Sequence, residues 1–233
     1  MHLHHFDRRE AHREEHHHPE GQLFILTRGS ASFRTEDGAW LMLPGRFCWV
    51  PPGQRHGTAT NGPVAGISLF LAAEDCTALP ARARVLMTDD FMRELLIRLA
   101  AAPGRANLLT VLMDEITAAK DEDLHLPAAM EPRLTRLLAQ IAADPADDRD
   151  LDTIARDLGI GKRTLVRRLR AETGLSYLEW RGRARILKAV ALLENGVSVT
   201  EVAFAVGYSN VSAFIRIFQT YLGMTPGAFR RAG

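Results

Sequence analysis

The chain has 233 residues, 46% hydrophobic and 24% charged, with a formal net charge of +1. These values describe an ordinary soluble globular protein of one large or two modest domains. They exclude a membrane-spanning helix, since no apolar run approaches the roughly 18–20 residues a bilayer demands. They also exclude a disulfide framework, since the two cysteines, Cys48 and Cys76, read as reduced, partly buried thiols. The opening "MHLHHFDRRE" has no apolar signal core, so a cytoplasmic location is expected.

The near-neutral average conceals two different parts. Up to residue 129 there are 13 Lys+Arg against 17 Asp+Glu, a net of −4; from residue 130 there are 16 against 11, a net of +5. All nine histidines lie in the first part. The second part is therefore a candidate for binding a polyanion.

In chain order, the first feature is "HREEHHHPEGQLFILTRG" (12–29). Its histidines are interrupted by Arg and Glu and lead directly into "QLFILT", a buried strand, so this is no expression tag. Residues 20–72 continue as short β-branched and aromatic runs, "ASFRT", "AWLML", "RFCWV" and "GISLFLA", separated by the turns "RG", "EDG", "PG" and "PPGQ". That spacing predicts an antiparallel barrel or sandwich. From about residue 88 the period becomes helical. Thr88 or Asp89 is expected to cap "DDFMRELLIRLAA", and Asn107 to cap "LLTVLMDEITAAK". In the latter, Leu108, Leu109, Leu112, Met113 and Ile116 form an apolar stripe that either pairs with a second copy or packs on the chain's own barrel. "DEDLHLPAAMEP" (121–132) reads as a linker.

The remainder contains an internal repeat. Ile154, Ala155, Leu158 and Gly159 match Val202, Ala203, Val206 and Gly207 at an offset of 48; Leu165, Leu169 and Gly174 match Phe214, Phe218 and Gly223 at an offset of 49. Each copy has the form of a helix-turn-helix: a small Ala for close helix approach, then a Gly for the left-handed turn, then a second helix anchored by apolar residues four apart. The outer face of the first copy's second helix is Lys162, Arg163, Arg167, Arg168 and Arg170. Between the copies, "SYLEWRGRARILKAVALLENG" predicts a helix from Ser176 to Asn195-Gly196, with Tyr177, Trp180, Ala184, Leu187, Ala191 and Leu192 mainly on one face. About 18 residues at 1.5 Å give a rod of about 27 Å. Such a rod can set two recognition helices into successive major grooves about 34 Å apart.

With "RILKAVALL" (185–193) and "VAFAVGYSNVSAFIRIFQTYLGMTPGAFR" (202–230), residues from about 133 to 231 resemble the DNA-binding domain of the AraC/XylS family of transcription regulators. Departures are Gly161, where the family usually has a Ser cap, and Gln219, where it usually has Lys. The resemblance implies double-stranded DNA as partner, a homodimer, contact with RNA polymerase and a small-molecule effector. It carries over the DNA-facing positions Lys162, Arg163, Val166, Arg167 and Arg168 on the first recognition helix, and Asn210, Val211, Ser212, Ile215 and Arg216 on the second. Of these, Lys162 and Arg168 are assigned to phosphate.

Residues 12–75 resemble a cupin barrel. Gly45, Pro51, Gly53 and His56 follow the spacing of the second cupin motif, with Thr60 in place of Asn; His16, His18, Gln22 and Gly29 follow the first, with Gln22 in place of Glu. Cupins bring such residues to a metal, and His16 and His18, two apart on a strand, share a face. Zn, Ni, Mn or Fe could be held by His16, His18 and His56, Gln22 being a neutral and weaker ligand. Alternatively these side chains line a cavity for an organic effector. His17, with His2, His4, His5 and His12, is expected at the surface. Phe24, Phe33, Trp40, Phe47, Trp49 and Phe70 either line a pocket or form plain core.

The expected whole is an α+β chain: a cupin-like sensor barrel (1–87), a helical dimerisation segment and linker (88–129), and an all-α domain with two helix-turn-helix motifs joined by a linker helix (130–233). A DNA-binding regulator without catalytic activity is expected. The competing readings are a cupin metalloenzyme with a DNA-binding appendage and an effector-independent architectural DNA binder.

Overall fold

The computed structural model describes residues 1–9, 12–60, 62–101, 105–121 and 124–232. Two compact units are present: residues 1–36 with 40–123, and residues 37–39 with 124–233.

The first unit is built on β1 (His2–Arg8), β2 (His12–His16), β3 (Gly21–Arg28), β4 (Ala31–Thr35), β5 (Gly38–Met42), β6 (Arg46–Val50), β7 (His56–Ala59), β8 (Val64–Leu71) and β9 (Arg84–Met87), followed by α1 (Asp90–Ala101) and α2 (Ala106–Ala118). Residues 37–39, at the start of β5, belong to the second unit. One sheet has the order β1-β8-β3-β6-β9, and β5, β4, β7 and β2 lie side by side in another. The five runs read as strands fall on β3, β4, β5, β6 and β8. Where a barrel was expected, the described strands form two separate sheets.

Strand β3 explains the unit's layering. Residues 21–26 are all buried, so the strand lacks the alternation of a half-solvated one. Its odd residues, Leu23 and Ile25, join Phe47, Trp49, Ile67 and Leu69 in a core completed by Met92, Leu95, Leu96 and Leu99 of α1 and by Leu112 and Ile116 of α2. Its even residues, Phe24 and Leu26, join Phe33, Trp40, Cys48 and Val64 on the opposite face. Both cysteines are free and buried, and burial pushes the Cys48 thiol well up from its ordinary value.

The helical stripe is therefore resolved in part. Leu112 and Ile116 are fully buried in the unit's own core, with Leu108, Leu109 and Met113 half-buried against it. Asp89 caps α1 through Met92 N–H (2.9 Å). Asn107 is no cap: α2 begins at Ala106, and Arg105 precedes it without a side-chain cap.

The second unit contains β10 (His125–Pro127), α3 (Pro132–Ala143), α4 (Leu151–Asp157), α5 (Lys162–Thr173), α6 (Tyr177–Glu194), α7 (Val199–Ala205), α8 (Val211–Leu222) and α9 (Pro226–Ala232). The stretch read as linker thus holds a short strand, with Glu122 and Asp123 outside the described residues. The repeat is realised element by element. Helices α4 and α7 have seven residues each, α5 and α8 twelve. The turn glycines Gly159 and Gly207 have φ of +67° and +86°. At Gly207 even a methyl group would press on Ala146 Cα at 2.8 Å, so close backbone approach adds to the conformational demand.

Helix α6 differs from the single-faced rod expected. Tyr177, Trp180 and Ala184 join the core of α3, α4 and α5, but Ile186, Ala189, Val190 and Leu193 are buried as well. The reason is its place: α6 packs against α3 and α5 along one part and α7 and α9 along another, so two faces lose solvent. Both Ser176–Glu179 and Ser198–Glu201 form reciprocal capping boxes at the starts of α6 and α7, and Asp150 caps α4. Among the described residues no helix is long and apolar enough to cross a membrane.

Two outcomes follow. Leu112→Ala removes a side chain from a closed core and should lower stability by about 2–5 kcal/mol in urea denaturation, whatever the protein concentration. The second concerns pH. Hydrogen bonds to the capping-box partners hold Glu179 and Glu201 below their ordinary carboxylate values, Thr153 N–H does the same for Asp150, and the Arg149 side chain for Asp147. Groups lowered in the folded state contribute stability above the unfolded value and lose it as pH falls. Melting temperature should therefore drop as pH descends from about 5 toward 3, and less steeply in a Glu179→Gln/Glu201→Gln variant.

Candidate functional site

In the first unit, strand alternation aims one set of side chains between the sheets. Pairing of β3 with β8 sets Gln22 opposite Phe70 and Phe24 opposite Ser68; pairing of β8 with β1 adds His2 opposite Phe70, His4 opposite Ser68 and Arg8 opposite Val64. From the other sheet, β2 sets His16 opposite His56 of β7. These residues, with Leu3, Phe6, Leu26, Ala31, Thr58 and Thr60, line a cavity of about 330 Å³.

At one end of the cavity three imidazoles meet. One ring nitrogen each from His16, His18 and His56 lies within 4.8 Å of the others. His16 closes β2, but His18 lies beyond the strand, in the loop toward β3, so the expected shared strand face is not what joins them. Backbone carbonyls from three segments orient the rings instead. Each Nδ1 faces a carbonyl: Glu14 O at 3.0 Å for His16, Glu20 O at 2.7 Å for His18 and Gln54 O at 2.9 Å for His56. A carbonyl only accepts, so each Nδ1 carries a proton and the ligating lone pair is left to Nε2.

Gln22 completes the group. Its amide lies 3.1 Å from His18 Nε2 and bonds Ser68 Oγ at 3.2 Å. Neutral His18, its Nδ1–H already given to Glu20, accepts a hydrogen bond from the amide NH₂; the imidazolium donates one to the amide oxygen, the atom that lies 3.1 Å from Nε2. A glutamine serves either state by turning its amide, where an ionised glutamate only accepts.

The donor set fits a divalent ion in type: three imidazoles and an amide oxygen. Tetrahedral Zn–N bonds of about 2.0–2.1 Å put nitrogens about 3.3 Å apart, so no pair, all being within 4.8 Å, need draw in by more than about 1.5 Å. Among the described residues no anionic ligand joins the group to offset the ion's charge.

Other expectations divide. His5 and His17 are exposed; the side chain of His12 lies outside the described residues. His2 and His4 are exposed yet line the cavity, which sequence reading missed, as it missed Arg8, Thr58 and Ser68. Of the aromatics, Phe24 and Phe70 line the cavity, Phe33 and Trp40 are core between the sheets, and Phe47 and Trp49 face the helices.

In the second unit, buried Leu165 and Leu169 anchor α5, and Phe214 and Phe218 anchor α8. The opposite faces present Arg163, Val166 and Arg167, and Ser212 and Arg216, to solvent, with Val211 and Ile215 half-buried. The acid-free basic face of α5 acquires acids from other elements. Lys162 pairs with Asp152 (2.7 Å), Arg168 with both oxygens of Glu131 (2.8 Å each), and Arg170 with Glu179 (2.9 Å). Arg163, Arg167 and Arg216 have no ion pair among the described residues. Asn210 is the side-chain cap of α8, bonding Ala213 N–H at 2.8 Å.

The profile of the AraC-like ligand binding domain matches residues 2–158, and a helix-turn-helix domain profile matches residues 154–232. The chain is 30% identical over 221 residues to the HTH-type transcriptional regulator NimR of Escherichia coli K12, covering 92% of this chain and 81% of that one. Among solved structures, ToxT of Vibrio cholerae with bound unsaturated fatty acid aligns over 99% of this chain and 94% of its own, at 12% identity and a TM-score of 0.43. The DNA-binding domain of AdpA, solved in complex with a target DNA, aligns over 43% of this chain and 91% of its own, at 34% identity and a TM-score of 0.41. The chain belongs to the AraC family of transcription regulators, with an N-terminal ligand-binding domain and a C-terminal helix-turn-helix DNA-binding domain.

Proposed function

We propose that the chain binds specific double-stranded DNA through α5 and α8 and adjusts that binding to an effector held in the cavity of the first unit. The observation that carries the DNA half is the repeat itself: two recognition helices, each with unpaired arginine on its outer face, joined through one helix of 18 residues. Arg163, Val166 and Arg167 read one groove segment; Val211, Ser212, Ile215 and Arg216 read the next. Lys162, whose partner Asp152 is itself half-exposed, exchanges that acid for a phosphate. Arg168 keeps Glu131, which precedes α3, and acts by holding α3 to α5, and Asn210 acts as the cap of α8.

A sensor needs different affinity for a ligand in two states and no reaction. The cavity supports that use over catalysis, because the position a cupin fills with Glu is Gln22, which cannot serve as a general base. The metal-responsive form of this proposal assigns Zn, Ni, Mn or Fe to His16, His18 and His56 with Gln22 alongside. A homodimer and contact with RNA polymerase are proposed on family membership, the dimer surface lying outside Leu112 and Ile116.

Two experiments test this. Arg167→Ala should relax preference at one base pair by about 1–3 kcal/mol in competition binding, whereas Lys162→Ala should weaken all sites alike and reduce the salt slope by about 1. An unchanged preferred sequence and affinity in Arg167→Ala would refute the assignment of α5. For the metal, elemental analysis should show less metal in the His16→Ala/His56→Ala double variant than in the parent, and Gln22→Glu should retain it more firmly against a chelator. Equal content in parent and double variant removes the metal and leaves the organic effector.

A further inference from the structure

The wall of the cavity contributed by β1 carries a charge, Arg8, that no described residue neutralises. Alternation along β1 places His2, His4, Phe6 and Arg8 on the cavity face. The carboxylate next in sequence, Asp7, points the other way and is bound to Arg28 at 2.8 Å. Arg8 has no ion pair or hydrogen bond among the described residues. Nor does any described Asp or Glu line the cavity, although Glu14 and Glu15 lie on β2 and Glu20 just before β3. The unit as a whole is acidic, so this acid-free lining is a local feature. A permanently charged guanidinium beside walls of Phe6 and Phe24, with Thr58 Oγ1 as a further polar group, suits a carboxylate attached to an apolar body. The volume, about 330 Å³, sits at the low end of small-molecule pockets, about 300–1,000 Å³. His2 and Arg8 are six residues apart on an extended strand, about 20 Å, and the imidazole cluster lies at the Phe70 end that His2 faces. The guanidinium is thus at the far end from the histidines, and its role is independent of any metal.

We infer that the effector is a small organic carboxylate, whose anionic group is bound by Arg8 and whose apolar part lies against Phe6 and Phe24; this rests on the reading of the cavity as an effector site. The test is calorimetric titration of the full chain with benzoate and hexanoate, with benzamide and hexanamide as uncharged counterparts and inorganic phosphate as an anion without an apolar body. The acids should bind at least about tenfold more tightly than the amides, and Arg8→Gln should weaken the acids by about tenfold or more. Arg28→Gln, on the outer face, should leave acid binding unchanged. Amides binding as well as the acids would overturn the carboxylate and leave the cavity as a site for neutral effectors. Phosphate binding as tightly as the acids would overturn the organic body. Acid binding that survives Arg8→Gln would place the anion elsewhere and overturn the assignment. Binding by neither acid nor amide would overturn the carboxylate together with the effector role of the cavity for ligands of this size.

Discussion

Strand β3 is buried on both faces, and the rest of the first unit depends on that. An apolar strand with no solvent face must be covered twice, and the chain supplies two different covers. Leu23 and Ile25 meet the helices α1 and α2; Phe24 and Leu26 meet the second sheet. Because side chains alternate with period two, this also fixes Gln22 on the inner face, beside His18 and Ser68. A slip of one residue would send Gln22 under the helices and Leu23 into the cavity. The register that closes the core is thus the one that builds the site.

The second unit obeys the same constraint with a helix. Helix α6 is buried on two faces because both helix-turn-helix motifs need it. Its first half, through Tyr177 and Trp180, joins the core of α4 and α5, and its second half, through Ile186 and Val190, is buried beyond. Trp180 Nε1–H is satisfied by Pro127 O at 3.0 Å, so even this large ring is held in one orientation. Buried along its length, α6 is the common support of both helix-turn-helix motifs, through α5 on one side and α7 on the other. The charges on α5 divide in the same way: Lys162, Arg168 and Arg170 are tied to Asp152, Glu131 and Glu179 of other elements, and Arg163 and Arg167 have no ion pair among the described residues.

What the sequence disclosed followed the strength of its periodic signal. The repeat was legible because Ala155/Ala203, Gly159/Gly207 and the paired apolar anchors recur at fixed offsets, and local geometry alone demands those residues. The strands β3, β4, β5, β6 and β8 were legible because burial made them apolar. Strand β1 escaped notice, and β2 and β7 were placed only through the cupin motif spacing: "HLHHFDR", "HREEH" and "HGTA" are polar, and only their pairing partners make them strands. The cavity suffered most from that gap. The three-histidine cluster was found by motif spacing, although His18 reaches it from a loop. Arg8, His2 and His4 were not, because their use depends on an edge strand that no local pattern announces. The acids that pair with α5 were equally hidden, since Glu131 is 37 residues from Arg168.

In the function proposed above, one chain presents two recognition helices, joined through α6, to consecutive major-groove segments. Selection of binding sites by the full chain from a random double-stranded DNA library tests it most directly. Two short conserved segments are expected in each selected site, with centres about 10–10.5 base pairs apart on one face of the duplex. Selected sites holding one segment only, or two segments at variable spacing, would contradict it.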